Sequence, residues 1–264
     1  MWEPSRMRRY LGGAAAIIAA ILASPIAALA QSASAPASAP AQPIKDGRAL
    51  QVLKGMSETL ARAKTLGFSV RGIVPVPAPT GQYVSLLGAS RVMMQRPDKL
   101  FVESRGDLFP SDLYYNGKTV TAIGAEKKFY AQRDVSGNAV TEAMQAAEPG
   151  GDAVAPFFDL LVTDPYAHLT KDYTTALWVG RSSVGGVACD HVAMTAKDVD
   201  WELWVGVADK LPRMLLVASR SGDRQPTFTA EFSNWKLDVP MRAKTFEAAI
   251  PKGAVKIEFK PQRK

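Results

Sequence analysis

The stretch GGVACDHVAMTAKDVDWELWVGVADKLPRMLLVASRSGDRQPTFTAEFSNWKL, residues 185–237, decides the fold. From Asp200 to Val207 apolar and polar residues alternate, with Trp201, Leu203, Val205 and Val207 on one face and Asp200, Glu202, Trp204 and Gly206 on the other. A two-residue period of this kind marks a half-buried β-strand. Pro212 opens a second strand over residues 213–219. After the turn-rich SGDRQP, a third over residues 227–237 sets Phe228, Ala230 and Phe232 on one face. Consecutive strands joined by short turns pair antiparallel, and the resulting sheet has one apolar face that another element must cover. What covers it, and whether a cavity is left beneath, is the functional question.

Upstream of this stretch the same grammar repeats. Strand-like segments occupy residues 68–74, 84–95, 99–105, 112–115, 118–124 and 127–132, and Asn116-Gly117 reads as a two-residue hairpin turn. Residues 75–81, PVPAPTG, read as a loop because proline cannot donate to a strand ladder. Strands resume over residues 174–184, turn at Gly185-Gly186, and end with an edge strand expected over residues 255–259. Helices are expected where the period changes. Asp46 is placed to cap a helix carrying Leu50, Leu53, Leu60 and Ala63 at helical spacing, with Gly67 beyond its end. A short helix is expected over residues 139–147, and a second, unusually apolar one over residues 153–162. That second helix carries Phe157, Phe158 and Leu161 and is placed to lie across the open sheet face as a lid.

The N-terminus names a compartment. Arg6, Arg8 and Arg9 precede the apolar run 11–23, and Ala28-Leu29-Ala30 before Gln31 fits a secretory cleavage site after Ala30. Pro25 interrupts that run too early for a membrane anchor. The tract that follows, residues 31–45, is an Ala/Ser/Pro tether, and the single folded domain is expected over residues 46–264. Removing residues 1–30 takes away three arginines and one glutamate, so the formal charge falls from +7 to +5. The cations are scattered without aromatic interleaving, which excludes a nucleic-acid interface and allows at most peripheral membrane contact. Cys189 is the single cysteine, so an exported chain has no internal disulfide and depends on its apolar core.

Candidates for catalysis are few. Alternation puts Cys189 and His191 on one face about 7 Å apart. Two ligands are too few for zinc, and a nucleophile and base would need an orienting partner and an exposed position, so a packed cysteine and a hydrogen-bonded histidine are the expectation. Asp198, Asp200 and Glu202 lack the loop spacing of a calcium site. No cofactor is implied. The large rings of Trp201, Trp204 and Trp235, with Leu203, either fill the core or line an apolar pocket.

Several pieces together carry a resemblance. They are the signal peptide, the helix 50–63, Gln95-Arg96-Pro97-Asp98-Lys99-Leu100, Tyr115-Asn116-Gly117-Lys118, Gly186-Val187-Ala188-Cys189-Asp190-His191, Trp201-Glu202-Leu203-Trp204, Leu211-Pro212-Arg213 and Phe232-Ser233-Asn234-Trp235. Across the chain beyond the tether these resemble a family of predicted periplasmic bacterial proteins, domain of unknown function 2092. That family is similar in fold to the outer-membrane lipoprotein carriers LolA and LolB and to a domain of a periplasmic sigma-factor regulator. The resemblance implies an α+β, mainly β fold: a strongly curved antiparallel sheet of about eleven strands, an unclosed barrel with a helical lid whose cavity receives acyl chains. The expectation is therefore a monomeric, non-enzymatic periplasmic protein binding a lipid, an acyl chain or another hydrophobic molecule, in lipid or lipoprotein handling. Its candidate cavity and lid residues are Phe157, Phe158, Leu161, Trp201, Leu203, Trp204 and Trp235. The alternative is an envelope protein-interaction or sensing module, and the least favoured reading is a hydrolase or metal enzyme using Cys189 and His191.

Overall fold

The computed structural model describes residues 44–107, 110–135, 156–220 and 225–259. The expected signal peptide, most of the tether and the helix over 139–147 fall outside them.

Twelve strands form one sheet: β1 (Thr65–Pro77), β2 (Tyr83–Gln95), β3 (Lys99–Gly106), β4 (Ser111–Tyr115), β5 (Thr119–Gly124), β6 (Phe129–Asp134), β7 (Thr175–Val184), β8 (Val187–Thr195), β9 (Val199–Gly206), β10 (Pro212–Ser219), β11 (Thr227–Leu237) and β12 (Val255–Ile257). Their spatial order is β12-β6-β5-β4-β3-β2-β1-β11-β10-β9-β8-β7, so the sheet has two edges and does not close into a barrel. The expected eleven antiparallel strands are β1 to β11. The twelfth differs in kind, because β12 returns to pair parallel with β6. Two meanders, β1–β6 and β7–β11, meet where β1 pairs antiparallel with β11, Val70 opposite Phe232.

Local chemistry explains most of the turns. Gly185 and Gly186, at φ 56° and 80°, close the two-residue turn between Val184 and Val187. At 116–119 the turn is longer than the expected two residues, since Tyr115 pairs with Val120. Asn116 acts there through its side chain, whose Oδ1 accepts from the N–H groups of Lys118 and Thr119. The expected loop at 75–81 is also corrected. Strand β1 continues through Pro75 and Pro77, because β11 stops opposite Ile73 and an edge strand has no ladder bond for those prolines to remove.

One face of the sheet carries the core. Helix α1 (Gly47–Arg62) begins at Asp46, whose side chain accepts from Arg48 N at 2.8 Å, and buries Ala49, Leu53, Met56 and Leu60 against β7, β8 and β9. A 3₁₀ turn, η1 (Pro156–Leu160), and the short helix α2 (Pro165–Leu169) continue this cover. The described part of the expected lid helix is thus a single 3₁₀ turn. On the opposite face a smaller patch forms where a second 3₁₀ turn, η2 (Ala243–Phe246), buries Phe246 against β3, and Phe101 packs on Tyr114.

Candidate functional site: the aromatic seam and its cover

The seam between β1 and β11 is lined with rings. Leu66, Phe68 and Val70 alternate inward along β1, as Phe228, Ala230 and Phe232 do along β11. Continued alternation would send Trp235 to the other face. Instead Asn234 and Trp235 together oppose Phe68, since the register steps from Gly67–Lys236 to Ser69–Ser233. Asn234 takes the left-handed conformation at φ 56°, a β-bulge that returns Trp235 to the core face. There its ring stacks on Phe68 at 4.3 Å, while its Nε1 donates to the Pro212 carbonyl at 2.9 Å.

Phe157 of η1 closes over these rings. It meets Phe68 edge-on at 6.4 Å and Phe232 at 6.1 Å, and is 5 % exposed. Leu160 and Leu161 are equally buried beside it, and Phe158 packs on Phe157 at 4.6 Å while half-buried. The structure therefore brings Phe157, Phe158, Leu161 and Trp235 into one cluster, with Trp201 and Leu203 in the same continuous core. Where η1 covers the seam, the ground between cover and sheet is occupied by the protein's own rings.

Trp204 is placed differently. It points away from Leu203, as alternation along β9 requires, and lies outside the core cluster, its ring stacked on His191 at 3.9 Å and 11°. The expectation that Trp204 lines the same cavity as Trp201 is corrected by that geometry, because residues an odd number of positions apart in a regular strand lie on opposite faces. His191 Nε2 is bound to Glu202 Oε2 at 2.7 Å. Cys189 Sγ donates instead to the Val187 carbonyl, and burial pushes its thiol pKa up, which disfavours the nucleophilic thiolate. Among the described residues no three of His, Cys, Asp and Glu converge to hold a metal ion.

The cover is fastened by polar bonds that sequence reasoning missed. Arg96, at the end of β2, donates from one terminal nitrogen to the carbonyls of Leu161 at 3.2 Å and Val162 at 3.3 Å. Its Nε is buried without a partner, and burial lowers the guanidinium pKa. A side chain that keeps a charge under an apolar cover, held by carbonyls with no carboxylate ion pair among the described residues, is an uncommon arrangement. Ser57 of α1 accepts from Tyr166 N at 2.9 Å, and His168 of α2 pairs with Asp159 of η1 at 3.1 Å. The available sequence signal was an arginine directly before Pro97 at a strand end.

A second polar knot anchors α1. Asp190 lies buried on the core face of β8 and accepts from Trp178 Nε1 at 3.2 Å and Arg181 Nε at 3.5 Å, with Arg48 at 3.7 Å. The Arg48 guanidinium lies 3.3 Å over the Trp178 ring. Trp178 and Arg181 share this face because the register shifts at Val179.

Among solved structures, the chain is similar to an uncharacterised conserved protein from Thermus thermophilus, with TM-score 0.47 and 12 % identity over 80 % of this chain and 99 % of that one. It is similar to MucB in its complex with MucA from Pseudomonas aeruginosa, with TM-score 0.40 and 15 % identity over 76 % and 61 %. A LolA superfamily protein from Nitrosomonas europaea gives TM-score 0.35 and 14 % identity over 76 % and 97 %. No function is carried over from these likenesses. No curated protein matches the sequence. No helix among the described residues is long and apolar enough to cross a membrane. The family model described as "Predicted periplasmic protein (DUF2092)" matches residues 49–260, and the chain belongs to that family of predicted periplasmic proteins.

Proposed function

We propose that this protein binds a hydrophobic guest, a lipid or acyl chain, on the β1–β11 seam beneath η1, without catalysis. The supporting observation is the cover. Phe157 and Leu160 of η1 and Leu161 just after it occupy the apolar seam, yet the turn is only five residues long, and this segment is fastened by two Arg96 bonds to residues 161 and 162 and one surface ion pair. A guest chain that displaced these side chains would inherit the faces of Phe68, Phe232 and Trp235. Affinity would come from apolar area removed from water, about 25 cal/mol per Å², so long chains are favoured over short ones. The buried, raised-pKa thiol of Cys189 and the Glu202-bound, Trp204-stacked His191 support binding over hydrolysis.

Native mass spectrometry of protein purified from a periplasm is the test, combined with titration of a fluorescent fatty acid. A bound lipid mass, or saturable probe binding weakened by Leu161→Trp, is the expected result. Protein that arrives empty and leaves the probe free in solution removes the reading.

A second reading, an envelope protein-interaction module, is favoured by one observation: rings already fill the space under the cover. It requires that Leu161→Trp change nothing in probe binding and that a defined protein partner co-purify.

A further inference from the structure

Beyond the last residues that β11 and β3 reach, the β1–β2 hairpin has no further strand partner among the described residues. Strand β11 pairs with β1 only as far as Ile73, and β3 pairs with β2 only from Gly88 onward. Among the described residues Val74–Pro77 and Tyr83–Leu87 therefore pair as strands only with each other, closed by a turn in which Ala78 N donates to Gln82 O. From Gly72 to Ser90 the chain has no charged residue. Both faces of this arm are apolar: Ile73 opposes Leu87 on the exposed one, and on the other Val74, half-buried against the core, opposes half-buried Leu86, while Val76 opposes the exposed Val84 at the outer end. Leu87 is 58 % and Val84 40 % exposed, and Ile73 and Tyr83 are exposed with them. A solvated surface would not keep such side chains on both sides of an extended ribbon.

The edges of the arm disfavour strand addition. Within a ladder, the nitrogens of Pro75 and Pro77 must face outward, which removes two donors from the β1 edge. On the β2 edge, Asp107 caps Leu87, accepting from its N–H at 2.9 Å and donating N–H to its carbonyl at 2.8 Å.

The base of the arm is charged. The first ionised side chain met on either strand is an arginine, Arg71 on β1 and Arg91 on β2, and Arg105 stands opposite Ala89 on β3. The three border a groove of about 520 Å³ floored by the small Ser69 and Ala89. Glu103 pairs with Arg91 and Arg105, Asp112 also pairs with Arg105 at 2.9 Å, and Glu231 pairs with Arg71 at 3.6 Å, leaving the Arg71 side chain, at 79 % exposed, the most accessible of the three. Without residues 1–30 the chain has a formal charge of +5.

We infer that the β1–β2 arm is a membrane-docking device. Its uncharged tip enters the interfacial layer of a bilayer, and the arginines at its base meet anionic headgroups. A bilayer surrounds both faces of a ribbon, where a protein groove would cover one, and long arginine side chains suit the boundary between apolar and wet layers. This inference is independent of what the seam binds.

The test is co-sedimentation of the exported chain with vesicles of phosphatidylcholine alone or mixed with phosphatidylglycerol. Binding is expected to the mixed vesicles and to weaken as salt rises. The double variant Val84→Ser/Leu87→Ser should bind roughly tenfold more weakly, with an unchanged thermal midpoint because both side chains are exposed. A tryptophan in place of Val84 should shift its emission to the blue on adding mixed vesicles. Equal sedimentation of wild type and double variant, or no sedimentation with either vesicle, overturns the inference. So does a wild-type dimer in light scattering that the double variant abolishes, which would assign the arm to a second copy.

Discussion

Phe68 stacks on Trp235 with ring centroids 4.3 Å apart and planes inclined by 21°, although the two lie near opposite ends of the folded chain. This contact closes the seam between the two meanders. It exists because the bulge at Asn234 turns Trp235 back toward the core.

Trp235→Ala should destabilise the protein by about 3 kcal/mol, since it opens a cavity beside Phe68 and Phe232. Trp235→Phe keeps the stack and loses the bond to the Pro212 carbonyl, costing about 1 kcal/mol. Urea unfolding followed by circular dichroism measures both. Equal losses would mean that the ring contact contributes little.

Arg96→Met removes the two bonds that hold the end of the cover. Hydrogen exchange at residues 157–162 should accelerate while α1 stays protected. If the seam takes a guest, the variant should also bind a fatty-acid probe roughly tenfold more tightly, because opening the cover then costs less. Unchanged exchange at those residues would show that apolar packing alone fastens the turn.

Asp159 titrates under opposing influences. Burial raises its pKa, and the neighbouring His168 partly offsets the rise. A carboxyl whose folded pKa is raised stabilises the fold while protonated, below the ordinary carboxylate range. That contribution is lost as pH climbs through the raised value. Asp159→Asn should therefore flatten the loss of thermal stability between acidic and neutral pH. The change will be small because the side chain is 53 % exposed. A steeper pH dependence in the variant would reverse the sign.

Cys189 is buried and its pKa is raised by that burial. A thiol reagent should leave it unmodified in native protein and label it fully in denaturant. Cys189→Ala should cost only about 1 kcal/mol, as the loss of a small apolar side chain. Rapid native labelling would show that β7–β9 open locally.

How much of this was readable beforehand depended on range. Strands 68–74, 84–95 and 200–207 announce themselves because side chains within a strand alternate by geometry, whatever the strand pairs with. The helix after Asp46 was equally plain, since its cap and its apolar spacing are local. In the candidate site, Phe157, Phe158 and Leu161 stood out as apolar residues in a connecting segment, and the structure sets them on the seam. Arg96 did not stand out, because its bonds reach carbonyls 65 and 66 residues away.

The amino-acid order alone determined most of the strands, helix α1, the alternation of faces within each strand and the two-glycine turn at 185–186, all of which follow from backbone geometry over a few neighbours. Tertiary structure decided what depends on a partner strand. The bulges at Val179 and Asn234 arise only when β8 and β1 set the register. Pro75 and Pro77 can sit in a strand only because β11 ends before reaching them. The cover became a short 3₁₀ turn latched by Arg96, because a packed seam and a distant cation, rather than helix propensity, set its conformation.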